Sequence, residues 1–425
     1  MFPAGLLLST SVASHSSGFC NSTELLYLSF RGSKVKRNHF MAYLKFRADK
    51  LFDGYRFLEE GTVLITDETG VIENIITTKE AGDDVQQFSG ILSPGFINCH
   101  CHLELSHMKG LIPEATGLVK FVLNVVQQRH FPEEEIIQAI EKAEDEMLAN
   151  GIVAVGDICN NEFTVQQKKK GRIWYQNFVE ASGFNPQIAS SRFEKARQIY
   201  NEFANSSSGL GSIVPHAPYS VANELWDLII NFPGNHLLTI HNQETAGENE
   251  WFIKKQGEFS ELYSTMNIDT GFFQPSGKSS LQTYLPRFLN NQSVILVHNV
   301  HTSEDDILFG QQTTGNGQPI WCLCPNANQY ISKQLPNIDL LMKHNCEIVL
   351  GTDSLASNYQ LSIIEEIKTI QQHFPEINIE TLLKWATSKG AKALQMDSFL
   401  GSFEKGKKPG VILIKKDFAE IKRLL

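Results

Sequence analysis

Five short β-type apolar runs in this chain end directly on a histidine or an aspartate. They read ILSPGFINCHCH, GSIVPHAPYS, LLTIHNQE, SVILVHNVH and EIVLGTDS, and they carry His100, His102, His216, His241, His298 and Asp353. Histidine is scarce, 13 in 425 residues, and chance would scatter it over helix faces and loops. His100 and His102 are two apart, and residues two apart on a strand point to the same side. Their imidazoles therefore project together, as sharing one metal ion requires. A lone His-x-His pair beside a turn is as well explained by two ordinary histidines. The recurrence at strand ends shifts that balance toward a site.

Three further runs, IVAVGDI, IWYQNFVEA and IWCLCPNA, bring the strand candidates to eight. From about residue 100 they alternate with helical periodicity, as in EEEIIQAIEKAEDEMLAN and SIIEEIKTIQQHF. That alternation is the signature of βα units on a parallel sheet. Eight units predict an α/β fold, a (β/α)8 TIM-like barrel over residues 93–395. A polar residue at the C-terminal end of such a strand speaks for catalysis rather than stability. AYLKFRADKLFD and TVLITDETGVIENIIT precede the array, and GSFEKGKKPGVILI follows it. These predict a small β-sandwich domain built from both chain ends, 41–92 and 396–425. The longest connection, between His241 and His298, holds the helical ENEWFIKKQGEF and the loop DTGFFQPSGKSS. Loops of that length at a barrel mouth cover substrate, and Trp251, Phe272 and Phe273 are expected to close over a flat ring.

A net charge of −10 argues against a nucleic-acid or anionic-membrane partner. The one basic run, Lys168 to Lys170, is expected to be a solvated loop. No apolar stretch approaches the roughly 20 residues of a membrane span. Seven cysteines without a secreted-domain spacing point to a reduced, cytoplasmic setting. Cys99 and Cys101 alternate with the two histidines, so they are read as core residues on the opposite face, and Cys322 and Cys324 as buried too. Residues 1–40 are rich in Ser and small residues, with no Lys or Arg before Arg31. They are expected to be a disordered extension or a start placed upstream of the working one near Met41; a signal peptide is the alternative.

In order from about Met41 to Ile414, PGFINCHCHLELS, VGDI, PHAPYS, HNQE, LVHNVH, CPNAN, GTDS and GSFEKGK resemble the amidohydrolase superfamily. The branch is that of the cytosine/guanine/adenosine-type deaminases and chlorohydrolases. The resemblance implies that His100, His102, His241 and Asp353 bind one divalent metal ion, Zn²⁺ first and Fe²⁺ as the alternative. It implies Glu244 as proton shuttle, His298 beside the metal-held water, and His216 and Glu104 as substrate contacts. Relatives with two metals carry a modified lysine on the fourth strand; GSIVPHAPYS has none, which implies a single ion.

Residue chemistry agrees with this assignment. Three neutral imidazoles and a carboxylate leave a position open for water, which a divalent cation acidifies. Asp353 doubles as a base. Glu244, three residues past a ligand, is placed to protonate a ring nitrogen and pass a proton to a leaving amine. Glu248 and Glu250 are read as solvated acids at a helix start, and His107, His236 and His301 stay outside the metal shell. HLELSHMKG, PHAPYS and the insertion look most like the aminofutalosine deaminases. The expected activity is hydrolytic deamination of an amino-substituted N-heterocycle, an adenine nucleoside such as aminofutalosine. Hydrolysis of a cyclic amide or a chloro-heterocycle is the alternative. A small molecule is the expected partner, with a homodimer left open. The chain departs from the family in HNQE for HLAE, CPNAN for CP-x-SN, and KKPGVILI without the usual Ala-Asp.

Overall fold

The structure, a computed structural model, describes residues 43–206, 209–313, 318–415, 418 and 420–425. The expectations for residues 1–40 lie outside these. Eight strands form the barrel: β1 (Phe96–Cys101), β2 (Ile152–Cys159), β3 (Trp174–Ala181), β4 (Leu210–Pro215), β5 (Leu237–Asn242), β6 (Ser293–His298), β7 (Ile320–Leu323) and β8 (Glu347–Leu350). They are the eight runs legible in the sequence. β1 to β4 pair in parallel, as do β5 to β8. Residues of the candidate site close the two seams. His241 N–H donates to the His216 carbonyl at 3.0 Å, and Thr352 and Asp353 N–H both donate to the His100 carbonyl at 3.0 Å. The eight strands thus form two four-stranded parallel sheets joined at both seams by bonds from these residues.

Most strand residues are buried on both faces, which explains why runs such as VILV are continuously apolar rather than alternating. The small domain is two four-stranded sheets. One contains Tyr43–Arg47, Thr62–Asp67 and Ile72–Thr77; the other pairs Val411–Ile414 antiparallel with Ile91–Pro94, so both chain ends contribute. Phe46, Leu64, Leu92, Phe403 and Leu413 fill the space between them. The chain enters the barrel through Gly95, where a Cβ would sit 2.3 Å from the Val153 side chain. The Pro-Gly break is a close approach only glycine permits.

Lys168 corrects one expectation. It ends a one-turn helix (Val165–Lys168) and points inward, fully buried, 2.5 Å from Asp157 Oδ2. It also donates to Asn177 Oδ1 at 2.8 Å. Reading the lysine run as one solvated unit missed that its first member faces β2 and β3. All six cysteines among the described residues are buried free thiols. No helix of the described residues is long and apolar enough to cross a membrane.

Candidate metal centre and active site

The strand ends bring four sequence-selected groups to one point. His102 Nε2 and His241 Nε2 lie 3.3 Å apart, and Asp353 Oδ1 is 3.4 Å from His102 Nε2 and 3.6 Å from His100 Nε2. Two nitrogens bound tetrahedrally to one ion at about 2.0–2.1 Å would be separated by about 3.3 Å. The donor chemistry fits a divalent cation as well. Both ring nitrogens of His100 are buried without a hydrogen-bond partner, an arrangement costly unless a lone pair is taken up. His241 Nδ1 donates to the His216 carbonyl at 2.8 Å, which leaves Nε2 with its lone pair facing the cluster. Burial pushes His100 and His102 well below the ordinary imidazole range, so both are neutral. Ser357 Oγ donates to Asp353 Oδ2 at 2.5 Å and fixes that carboxylate.

The backbone turns sharply where these groups leave their strands. Gln243, His298, Asn299 and Asp353 have φ of 46°, 76°, 62° and 58°. Left-handed residues of this kind cost of order 1–3 kcal/mol each and persist where the surroundings over-determine them. Here Asn299 Nδ2 donates to the Leu296 and Cys322 carbonyls at 2.9 and 3.1 Å, holding the end of β6. The end of β5 is held by Glu248, whose Oε1 accepts from Gln243 N–H at 3.0 Å and from Ser280 Oγ at 2.5 Å. Glu248 is fully buried rather than solvated, a second correction. Gln243 donates to Asp306 Oδ2 at 2.9 Å, and Asn242 donates to Asn299 Oδ1 at 2.9 Å while accepting from Tyr284 at 2.8 Å. The departure HNQE thus builds a buried scaffold beneath Glu244.

Glu244 Oε2 lies 3.6 Å from His298 Nε2. Burial raises the Glu244 carboxyl well above its usual range, with Asp353 and Glu248 adding to the effect. Asn328 Nδ2 donates to His298 Nδ1 at 3.0 Å, which puts the ring proton on Nε2, toward Glu244.

A cavity of about 540 Å³ opens from this cluster and is lined by His102, Glu104, His216, His241, Glu244, His298 and Asp353. His216 Nδ1 pairs with Ser220 Oγ at 2.7 Å, and burial lowers that imidazole to about 4. The far wall is apolar, with Leu118, Phe121, Val122, Phe184 and Tyr263. Here the expectation for the insertion needs correcting. Trp251 and Phe273 stack on each other, centroids 5.2 Å apart, and back up Tyr263 instead of lining the cavity. Phe272 is exposed. The insertion reaches the cavity through Leu262–Asp269. Sequence reasoning missed Glu180, Asn160, Arg129, Ser357 and Asn328. Only Asn328, inside the CPNAN motif, carried a signal.

A closed eight-stranded barrel with convergent imidazoles and a carboxylate at the strand C-termini defines a metal-dependent hydrolase. The Amidohydrolase family model matches residues 91–424, and the chain belongs to that family. It is 25% identical to the 5-methylthioadenosine/S-adenosylhomocysteine deaminase of Thermoanaerobacter pseudethanolicus over 348 residues, 77% of this chain and 74% of that protein. It is 23% identical to the aminodeoxyfutalosine deaminase of Nitratiruptor sp. over 336 residues, 76% and 78% of the two chains. The crystal structure of Helicobacter pylori aminofutalosine deaminase in complex with methylthio-coformycin matches with a TM-score of 0.76 at 22% identity. That match covers 88% of this chain and 92% of the other. At that identity the likeness speaks for the fold.

Proposed function

We propose that the protein is a hydrolytic deaminase that releases ammonia from the 6-amino group of an adenine nucleoside, with aminofutalosine the first candidate and Zn²⁺ the metal. The observation that carries this reading is the pairing of a buried Glu244, its carboxyl pushed up by burial, with His298, 3.6 Å apart, beside the three-histidine cluster. Relatives named as deaminases of adenine compounds support the substrate class.

His100, His102, His241 and Asp353 would hold the cation. When bound, it supplies a nucleophile at neutral pH by acidifying water. The chain's own groups do the rest. Glu244 donates its proton to the ring nitrogen beside the amino-bearing carbon, making that carbon electrophilic, and as the conjugate base relays a proton to the departing amine. His298, its Nε2–H aimed at Glu244, orients the attacking group. His216 faces the ring edge, and Phe184 and Tyr263 offer apolar surface against the heterocycle or its substituent.

Adenosine, aminofutalosine, 5′-methylthioadenosine, guanine and cytosine offered to zinc-loaded protein test the reading by ammonia release. Turnover of at least one adenine nucleoside is expected. Ammonia from none, with hydrolysis of a cyclic amide or chloro-heterocycle instead, would replace this reading with the other.

A further inference from the structure

Glu180, a residue the proposed mechanism does not use, is the penultimate residue of β3, opposite Val214 in the β3–β4 register, two positions before His216. Its side chain is only 4% exposed, yet it lines the cavity. Across from it stands Glu104, in the turn that follows β1. Asn160, just past β2, ties the two together. Its backbone N–H donates to Glu104 Oε2 at 2.9 Å, and its Nδ2 donates to Glu180 Oε2 at 3.0 Å. Asn161 N–H adds a 3.2 Å bond to the same Glu104 oxygen. One oxygen of each carboxyl is therefore locked, and each keeps a second.

Glu180 Oε1 is buried with no hydrogen-bond partner among the described residues. His241 Nδ1 lies 3.6 Å away, but its hydrogen is already committed to the His216 carbonyl at 2.8 Å. Glu104 Oε1 has no hydrogen bond among the described residues. A buried acceptor without a donor, as at Glu180 Oε1, is rare and costly, and a cavity wall is where a ligand completes it. The missing chemistry is a pair of adjacent donors. Arg129 lines the same wall and lowers the charge that the two carboxyls present to a ligand.

We propose that Glu180 and Glu104, bridged by Asn160, receive the vicinal hydroxyls of the substrate's sugar, with Glu180 setting the preference for a ribonucleoside. This inference rests on the nucleoside reading above and goes beyond it in naming the groups recognised. With the sugar held at the ends of β1 to β3, the base lies toward His216, Glu244 and His298, all of which line the same cavity.

The test is Glu180→Gln in zinc-loaded protein, with adenosine, 2′-deoxyadenosine and 3′-deoxyadenosine compared by calorimetric Kd and by kcat and KM, and with zinc content measured. Wild type is expected to favour adenosine over the deoxy analogues on the order of tenfold or more. In Glu180→Gln that preference should collapse through a rise in Kd and KM for adenosine alone, with zinc retained. Equal weakening of all three ligands, an intact preference, or a loss that tracks zinc would overturn the proposal. Wild type without ribose preference would also overturn it. Ribose-dependent binding without ammonia release would overturn the deaminase reading and leave the subsite standing, whereas binding of no nucleoside would overturn both. If Glu180→Gln fails to fold, Asn160→Ala must show the same selective loss, and uniform loss there refutes the subsite.

Discussion

His298 Nε2, at the end of β6, and Glu244 Oε2, just past the end of the adjacent strand β5, face each other across 3.6 Å. Neither residue belongs to the cluster of histidine ligands, and neither is needed to hold a cation. Two buried titratable groups face one another beside the histidine cluster, and burial shifts them in opposite directions. Glu244 is pushed up and His298 down, and in the proposed mechanism Glu244 moves the proton.

Glu244→Gln should therefore lower kcat on the order of a hundredfold or more while leaving metal content and KM close to wild type. The amide keeps shape and polarity but cannot shuttle a proton. Steady-state kinetics with elemental analysis checks this; near wild-type kcat would move the role to His298.

Elemental analysis should find about one divalent metal per chain, because three imidazoles and one carboxylate converge and β4 offers no lysine. Asp353→Ala or His102→Ala should abolish retention after dialysis. Ser357→Ala is milder: removing the 2.5 Å bond that orients Asp353 should weaken metal affinity about 10–100-fold. Two metals per active chain would contradict the mononuclear assignment.

Lys168→Met should cost roughly 3–5 kcal/mol of stability by leaving Asp157 buried without its ion pair. Both side chains are 0% exposed, and Asp157 Oδ1 also accepts from Leu103 N–H at 2.8 Å, next to His102. Adding Asp157→Asn should recover part of the loss. Denaturant unfolding of the single and double variants measures it, and an unchanged midpoint in Lys168→Met would show that the pair contributes nothing.

These residues also show what a sequence displays and what it hides. His100, His102, His241 and Asp353 were legible because each ends a strand-like run, where chain direction and barrel geometry fix what a side chain faces. The eight strands were legible for the same reason. Lys168 was not, because its partner Asp157 is 11 positions away and the neighbouring lysines are solvated in appearance. Glu248 looked like a helix-start acid; its burial depends on Ser280, brought in by the insertion. Glu180 and Asn160 belong to no motif. Their meaning comes from three strand ends meeting at one wall, a relation that exists only after the barrel closes.

Glu366 gives a pH prediction. Burial raises its carboxyl from 4.5 to about 8, although Asn326 N–H and Asn358 Nδ2 donate to it at 2.9 Å each. A carboxyl whose folded pKa is raised binds more protons folded than unfolded between those two values. Its contribution to stability is greatest at low pH and falls as pH rises from about 4.5 to about 8. Unfolding free energies of wild type and Glu366→Gln across this window should diverge, the variant showing the flatter slope. Parallel slopes would mean that Glu366 titrates normally.

The central claim, that the site replaces an amino group on an adenine nucleoside with oxygen from water, is tested most directly by mass spectrometry of zinc-loaded turnover in ¹⁸O-labelled water. The account predicts a 6-oxopurine nucleoside carrying one ¹⁸O, with the glycosidic bond intact and ammonia released in equal amount. Free adenine, an unlabelled product, or unchanged substrate across the adenine nucleosides would contradict it.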